Sequence, residues 1–439
     1  MIDAASGAEL GGDGLRARIE AAADATRGEA GLILLPMPTT VDAVLAYLGA
    51  LAARRPVALI DPQADVARAE IIERFAPSLV VGVDAPPPSG YAAGTHLGLP
   101  AWHRPATVMP DPELALLLTT SGSTGSPKLV RLSSSAVDAN ARAIAEGLGL
   151  GPDDVAMTTL PLFYTYGLSV LNSHLVSGAT VVLTERTFME REFWTDLGRF
   201  GVTSLAAVPY QYEMLKRLRF TPAKHPTLRT LTQAGGRLRT ELVADFRQRM
   251  AEVGGKMFVM YGQTEATARM TILPSEMLAE KLGSAGPALP GGKLRIDDDE
   301  VVFEGPNVMM GYAEQAEDLA KPDELGGVLR TGDLGRLDDD GYLWITGRVK
   351  RLGKVFGVRV NLDDVERMLA GDVPVAAIAG DDRLIVFVET LDTDHPAAVK
   401  RDLAEQLGIH SSGLDVRGIA ELPLMSSGKI DYRALEEMR

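Results

Sequence analysis

From residue 31 onward the chain alternates short apolar runs with segments of helical period, and this alternation restricts the fold more than any other feature. Leu32-Ile33-Leu34-Leu35 reads as a strand, Val41, Leu45, Leu48 and Leu51 recur on one helical face, and Val57-Ala58-Leu59-Ile60 is a strand again. A helical segment through Ile71 and Ile72 then leads to the strand Leu79-Val80-Val81. Such a βαβαβ run implies parallel pairing, because a parallel neighbour needs a crossover long enough to hold a helix. Residues 84–106, rich in Pro and Gly and without a period, read as a crossing loop. Farther on, Val137, Ala141, Ile144 and Leu148 share a helical face, with Ser134 or Ser135 as N-cap. Strands are expected at 155–159, 180–183, 203–208, 228–232 and 256–260, separated by helices around 168–177, 190–200, 211–219 and 240–251. The fold class is α/β, with parallel-rich sheets covered by helices.

Between 270 and 347 the texture changes to short alternating runs broken by Asp/Gly turns, such as Asp338-Asp339-Asp340-Gly341, which reads as a small antiparallel unit. The remainder reads as a small α+β unit, with strands around 374–379 and 383–389 and a helix around 396–407. A chain of 439 residues exceeds what one core usually serves. The expected division is an N-terminal domain at 1–348 and a C-terminal domain at 349–439.

The apolar run Leu114-Ala115-Leu116-Leu117-Leu118 opens directly into Thr119-Thr120-Ser121-Gly122-Ser123-Thr124-Gly125-Ser126-Pro127-Lys128. A polar loop leaving the end of a buried strand is where α/β proteins place ligands. Gly122 and Gly125 let backbone N–H groups close around phosphate oxygens, the hydroxyls of Thr120, Ser121, Ser123 and Thr124 can donate, and Lys128 adds charge. The spacing is not that of a Walker loop, whose second glycine would fall on Pro127.

Composition removes other classes of function. A net charge of −15 argues against general nucleic-acid binding. With no cysteine there is no disulfide, no Cys–Zn or iron–sulfur site and no thiol nucleophile. The six histidines are scattered without metal-ligand spacing, and His174 reads as a packed helix residue. No apolar run approaches membrane-spanning length and the N-terminus has no leader pattern, so neither a membrane nor a nucleic acid is an expected partner and a cytoplasmic location is expected.

Taken in order, the motifs resemble those of the AMP-forming adenylating enzymes, the superfamily of acyl- and aryl-CoA synthetases, nonribosomal-peptide adenylation domains and luciferases. Thr120 to Lys128 matches its phosphate loop, Gly235-Gly236-Arg237 its adenine segment, and Tyr261-Gly262-Gln263-Thr264-Glu265 its Y-G-x-T-E motif. Gly305 to Tyr312, Thr331-Gly332-Asp333, Gly347-Arg348, Lys354-x-x-Gly357-x-Arg359 and Gly428-Lys429 follow. The resemblance implies ATP and Mg²⁺ as cofactors. It places Tyr261 and Gly262 against adenine, Thr264 on the α-phosphate, Glu265 on the metal, Asp333 on the ribose hydroxyls and Arg348 on ribose or phosphate. It makes Lys429 the catalytic lysine of adenylation, Lys350 the hinge about which a mobile C-terminal domain turns, and Gly357 a residue near the incoming acceptor.

The implied reaction joins a small carboxylic acid to CoA or to the phosphopantetheine of an acyl carrier protein, with an amine as a further candidate acceptor. Tyr164, Tyr166, Gly167, Pro209, Tyr210 and Gln211 are the candidate acid pocket; its aromatic character suits an aryl or unsaturated acid. No acidic residue lies between 155 and 184 to hold an α-ammonium, which argues against amino acids. Leu129 after Lys128, and Arg237, depart from the family pattern. Two alternatives stay open: a member that activates nitrite for coupling to an aryl amine, and a catalytically silent nucleotide- or acyl-binding relative.

Overall fold

The computed structural model describes the chain except for Glu29, 120–127, Lys350, Gly357, 370–372, 381–382, Thr393, Gly408 and 426–427. The alternating apolar runs form two large sheets. In one, Ile2–Asp3, Thr180–Leu183, Val155–Met157, Ser204–Ala207, Thr230–Gln233 and Lys256–Tyr261 lie parallel in that spatial order, and Thr271–Leu273 closes the edge antiparallel. In the other, Leu114–Thr119, Val57–Ile60, Ile33–Pro36 and Leu79–Val81 form a parallel centre. Every residue of Ile33–Pro36, Val57–Ile60 and Leu79–Val81 is buried, as continuous apolar runs require when both faces are covered.

Two local readings are corrected. Residues 84–106 are not a bare crossing loop, because Ala92–His96 and Leu99–His103 form a hairpin that extends the second sheet antiparallel to Leu79–Val81. Its two-residue turn, Leu97-Gly98, has both φ angles positive, at 54° and 80°, the geometry that matches strand twist. The helix Ser134–Leu148 is capped by Ser133, whose hydroxyl accepts from the Ala136 N–H at 3.1 Å, rather than by Ser134 or Ser135. A first helix, Gly12–Thr26, precedes the alternating region and packs on Val41–Ala52. Gly49 permits this close approach: a Cβ there would lie 2.6 Å from that of Ala22.

The four strands Lys293–Asp297, Glu300–Glu304, Val328–Leu337 and Leu343–Arg348 make the antiparallel unit. Among its described residues, the smaller C-terminal domain comprises the hairpin Leu352–Val355/Val358–Asn361, the three strands Val375–Ala379, Leu384–Glu389 and Leu414–Ile419, three α-helices and the 3-10 turn Ser411–Gly413. Its apolar clusters, around Val386 and Leu403 on one face and Phe387 and Leu435 on the other, are its own. Among the described residues, no helix is long and apolar enough to cross a membrane.

Candidate active site

The strand Lys256–Tyr261 ends at the carboxyl edge of the first sheet, where Thr264–Ala266 forms a single 3-10 turn. This turn is tied to the segment after Gly305: the Asn307 amide donates to the carbonyls of Ala266 (2.8 Å) and Arg269 (3.0 Å), and the Thr267 hydroxyl donates to Asn307 O at 2.7 Å. The Met309 N–H donates to Glu265 O at 2.9 Å. These bonds present the Glu265 carboxylate outward, where it accepts from the Tyr312 hydroxyl at 2.8 Å. Lys128 pairs with Glu314 at 2.6 Å and faces the Tyr312 ring. Residues 120–125, assigned to phosphate binding, lie outside the described residues, as do Lys350 and Gly357.

Antiparallel pairing places Asp333 directly opposite Arg348. The Asp333 carboxylate accepts from the Tyr261 hydroxyl at 2.5 Å and pairs with Arg348 Nε at 2.9 Å. Burial pushes the Asp333 carboxyl up, while the Arg348 guanidinium pulls it back down. A buried carboxylate held by two donors, at the end of a sheet and beside an aromatic ring, suits nucleotide hydroxyls. Among the described residues, no three His, Cys, Asp or Glu side chains converge on a metal. Glu265 alone fits a Mg²⁺ that arrives with phosphates, since that ion takes one or two carboxylates and fills its remaining positions with phosphate oxygens and water.

Lys429 reaches the same place from the other domain. Its loop is closed by bonds from Met425 N to Lys429 O and from Gly428 N to Met425 O, each 2.8 Å, and Asp431 caps the following helix Tyr432–Glu437. Gly428, at φ +75°, takes a conformation that favours glycine. The ammonium stands 5.1 Å from the centre of the Tyr164 ring. Burial lowers its pKa from 10.5 to about 8, the Arg348 charge pushes it the same way, and Glu265 pulls it back.

The candidate pocket residues divide. Tyr164 precedes the helix Thr165–Val176 and borders Gly235, where a Cβ would lie 2.6 Å from the tyrosine oxygen. Gly235 itself sits at φ +82°, and Gly236 lies against Pro209. Arg237 and Tyr210 are exposed. Gln211 acts as a cap: its side chain accepts from Val208 N (3.0 Å) and donates to Thr159 O (2.8 Å). Gly167 serves packing, since a Cβ would meet Pro161 O at 2.2 Å, and Gly262 likewise, at 1.9 Å from Ala268 O. Tyr166 is buried, with its hydroxyl 3.0 Å from Thr232 O. His174 is packed as expected, with Nδ1 2.9 Å from Val170 O.

Sequence reasoning gave no role to Tyr312, Glu314 or Arg269. Arg269 is buried with its guanidinium 3.9 Å from the Tyr166 ring centre. Its only signal in the sequence is a lone cation in the stretch Ala266-Thr267-Ala268-Arg269-Met270.

The family model described as AMP-binding enzyme matches residues 15–313. A sulfoacetate–CoA ligase of Cupriavidus necator is 31% identical over 399 residues, covering 84% of this chain and 75% of that protein. An indoleacetate–CoA ligase of Aromatoleum aromaticum is 31% identical over 381 residues, covering 80% and 72%. A 2-succinylbenzoate–CoA ligase of Bacillus subtilis is 33% identical over 276 residues, 61% of this chain and 55% of that protein. Among solved structures, O-succinylbenzoate coenzyme A synthetase from Bacillus subtilis in complex with AMP superposes with a TM-score of 0.77 at 22% identity, over 97% of this chain and 92% of that one. ATP-bound MatB from Rhodopseudomonas palustris gives 0.80 at 22% identity, over 99% and 94%. At these identities the structural likeness speaks for the fold.

Proposed function

The chain belongs to the AMP-binding enzyme family, and we propose that it is an ATP-dependent, AMP-forming ligase that joins a small carboxylic acid to the thiol of CoA. The observation that carries this reading is the meeting of Lys429 from the C-terminal domain with Tyr164, in electrostatic reach of Arg348, Glu265 and Asp333. The relatives named as CoA ligases for sulfoacetate, 2-succinylbenzoate and indoleacetate support the reaction class.

In this reading a carboxylate oxygen of the acid attacks the α-phosphorus of ATP in line, and pyrophosphate leaves. Lys429 stands between the incoming oxyanion and the phosphate and offsets charge that develops there, in a setting where burial strengthens the interaction. Asp333 and Arg348 hold the ribose side, Tyr261 the base, and Thr264 the α-phosphate. Glu265 would hold the Mg²⁺, which when bound supplies positive charge to the phosphates. Lys128 has an exposed ammonium shared with Glu314 and is available to the phosphates.

The finer assignments belong to the same proposal. The acid lies along Tyr164, whose ring favours an aryl or unsaturated acid, and the acceptor is CoA, with a carrier-protein pantetheine as the second candidate. The domains divide at 348/349, and the reaction runs in the cytoplasm. The test is AMP release with ATP, Mg²⁺ and a panel of small acids, with and without CoA. Acid-dependent AMP and a CoA thioester support the reading. AMP only with nitrite and an aryl amine would replace it, and no acid-dependent AMP or pyrophosphate exchange would leave a silent relative.

A further inference from the structure

Between the helices Ser134–Leu148 and Thr165–Val176 and the strands Ser204–Ala207 and Thr230–Gln233 lies an internal cavity of about 20 Å³. Its wall is mainly apolar, with Ile144, Leu148 and Met260 among its members, and Tyr166, His174 and Arg269 also line it. Arg269 is 2% exposed, and its Nε has no hydrogen-bond partner. Among the described residues, no carboxylate pairs with it; its neighbours are Tyr166, whose ring face lies at 3.9 Å and whose hydroxyl also bonds to it, and Tyr164.

The other deeply buried arginines have more partners, although Arg131 Nε is likewise without one. Arg131 pairs with Glu324 and donates to the carbonyls of Lys321 and Met310. Arg55 donates to the carbonyls of Gly31 and Ala30 and to Ser78. Removing a guanidinium from water without a counter-ion is unfavourable, and the face of a tyrosine offsets only part of that cost. His174 cannot supply negative charge: it is a neutral imidazole between Val170 O and the Ser204 hydroxyl. The Tyr166 hydroxyl serves both Thr232 and Arg269, and burial, which pushes its pKa up, keeps it neutral. Among the described residues nothing anionic faces Arg269, so an anion from outside the chain would complete its environment.

A series of contacts joins this cation to the reacting end of the site. The Tyr166 and Tyr164 rings are 6.4 Å apart edge to face, and Lys429 Nζ is 5.1 Å from the Tyr164 ring centre. We propose that Arg269 and the cavity beside it form an anion-binding subsite, which makes the enzyme select small acids carrying a second, distal anionic group such as a carboxylate or sulfonate. The cavity has room for about one water-sized group. One oxygen of the distal anion takes that place, while the reacting carboxylate lies by Lys429 and the body of the acid runs along Tyr164. This assignment rests on the ligase reading above.

The experiment compares matched acids: succinate with butyrate, terephthalate with benzoate, and sulfoacetate with propionate. Their kcat/KM for AMP release is measured with the wild type, Arg269→Met and Arg269→Lys. In the wild type the doubly anionic member of at least one pair is preferred, by about thirtyfold as expected of a buried charge-assisted contact. Arg269→Met brings that ratio toward one, and Arg269→Lys restores part of it. A second readout needs no turnover: the preferred dianion raises the Tm of the wild type but not that of Arg269→Met. If no pair is discriminated, or Arg269→Met lowers both members of a pair equally, the subsite is overturned while the ligase reading stands. If the dianion shifts Tm through Arg269 but no acid yields AMP, the subsite stands and the ligase reading falls.

Discussion

Lys429 offers the most direct test of the site, because its charge is the proposed chemical device and its titration is moved into an accessible pH range. The drop from 10.5 to about 8 corresponds to about 3 kcal/mol by which burial and neighbouring cations disfavour the ammonium. Since the pKa of this cation is depressed, the charged form exists below about 8 and is lost as pH rises through that value. The expected kcat/KM for adenylation in the free enzyme is therefore level below about pH 8 and falls about tenfold per pH unit above it. Lys429→Ala should lower adenylation by about 10²–10³-fold, the range seen when one preorganised charge or donor is removed, and should abolish the alkaline limb. Lys429→Arg keeps a charge that does not titrate there, so it should retain partial activity with a flat profile. The Tm of Lys429→Ala should not fall, because removing a desolvated cation relieves the folded state of an unfavourable charge. The assay is single-turnover formation of the acyl-adenylate across the pH range, with nucleotide binding measured separately. An alkaline limb at the same pH in Lys429→Ala, or a loss of less than about threefold, would refute the reasoning.

The remaining predictions concern binding, closure and motion. Asp333→Asn leaves Arg348 and the Tyr261 hydroxyl without their shared carboxylate, so the Kd for ATP by calorimetry should rise by about ten- to a hundredfold; an unchanged Kd would remove Asp333 from the nucleotide site. Gly235→Ala places a methyl at φ +82° and 2.6 Å from the Tyr164 oxygen, and thermal unfolding should show a loss of about 1–3 kcal/mol, together with weaker adenylation as Tyr164 shifts beneath Lys429. Lys350→Pro, at the proposed hinge, fixes φ and removes an N–H, so adenylation should stay measurable while thioester formation stops. Transfer at the parental rate would mean that no large rotation about residue 350 is needed.

Which parts of this molecule can be read from its amino acids follows from how local each signal is. Continuous runs such as Val57–Ile60 and Leu79–Val81 are strands because both faces are covered, and the run itself carries that information. The hairpin at Ala92–His96/Leu99–His103 escaped because its first strand is largely exposed and built from Ala, Gly, Thr and His, so no hydrophobic alternation marks it. The helix Gly12–Thr26 escaped because its buried residues are Ala22, Ala23 and Thr26, small side chains of which Ala22 closely approaches Gly49. The capping bonds of Gln211 could not be read from its neighbours in sequence, because Thr159 O is far away in the chain.

The sequence by itself determined the α/β class, the order of the motifs and the chemical type of each group, because strand runs, glycine turns and the carboxylates at 265 and 333 are properties of a few adjacent residues. Only the tertiary structure decided which of those groups meet. The ladder register sets Asp333 opposite Arg348, the docking of the small domain brings Lys429 to Tyr164, and the packing under Tyr166 leaves Arg269 with no counter-ion among the described residues. Each of these depends on desolvation and distance between residues far apart in the chain. The Coulomb energy of a charge is set by its surroundings, and a sequence names the charge without stating what surrounds it.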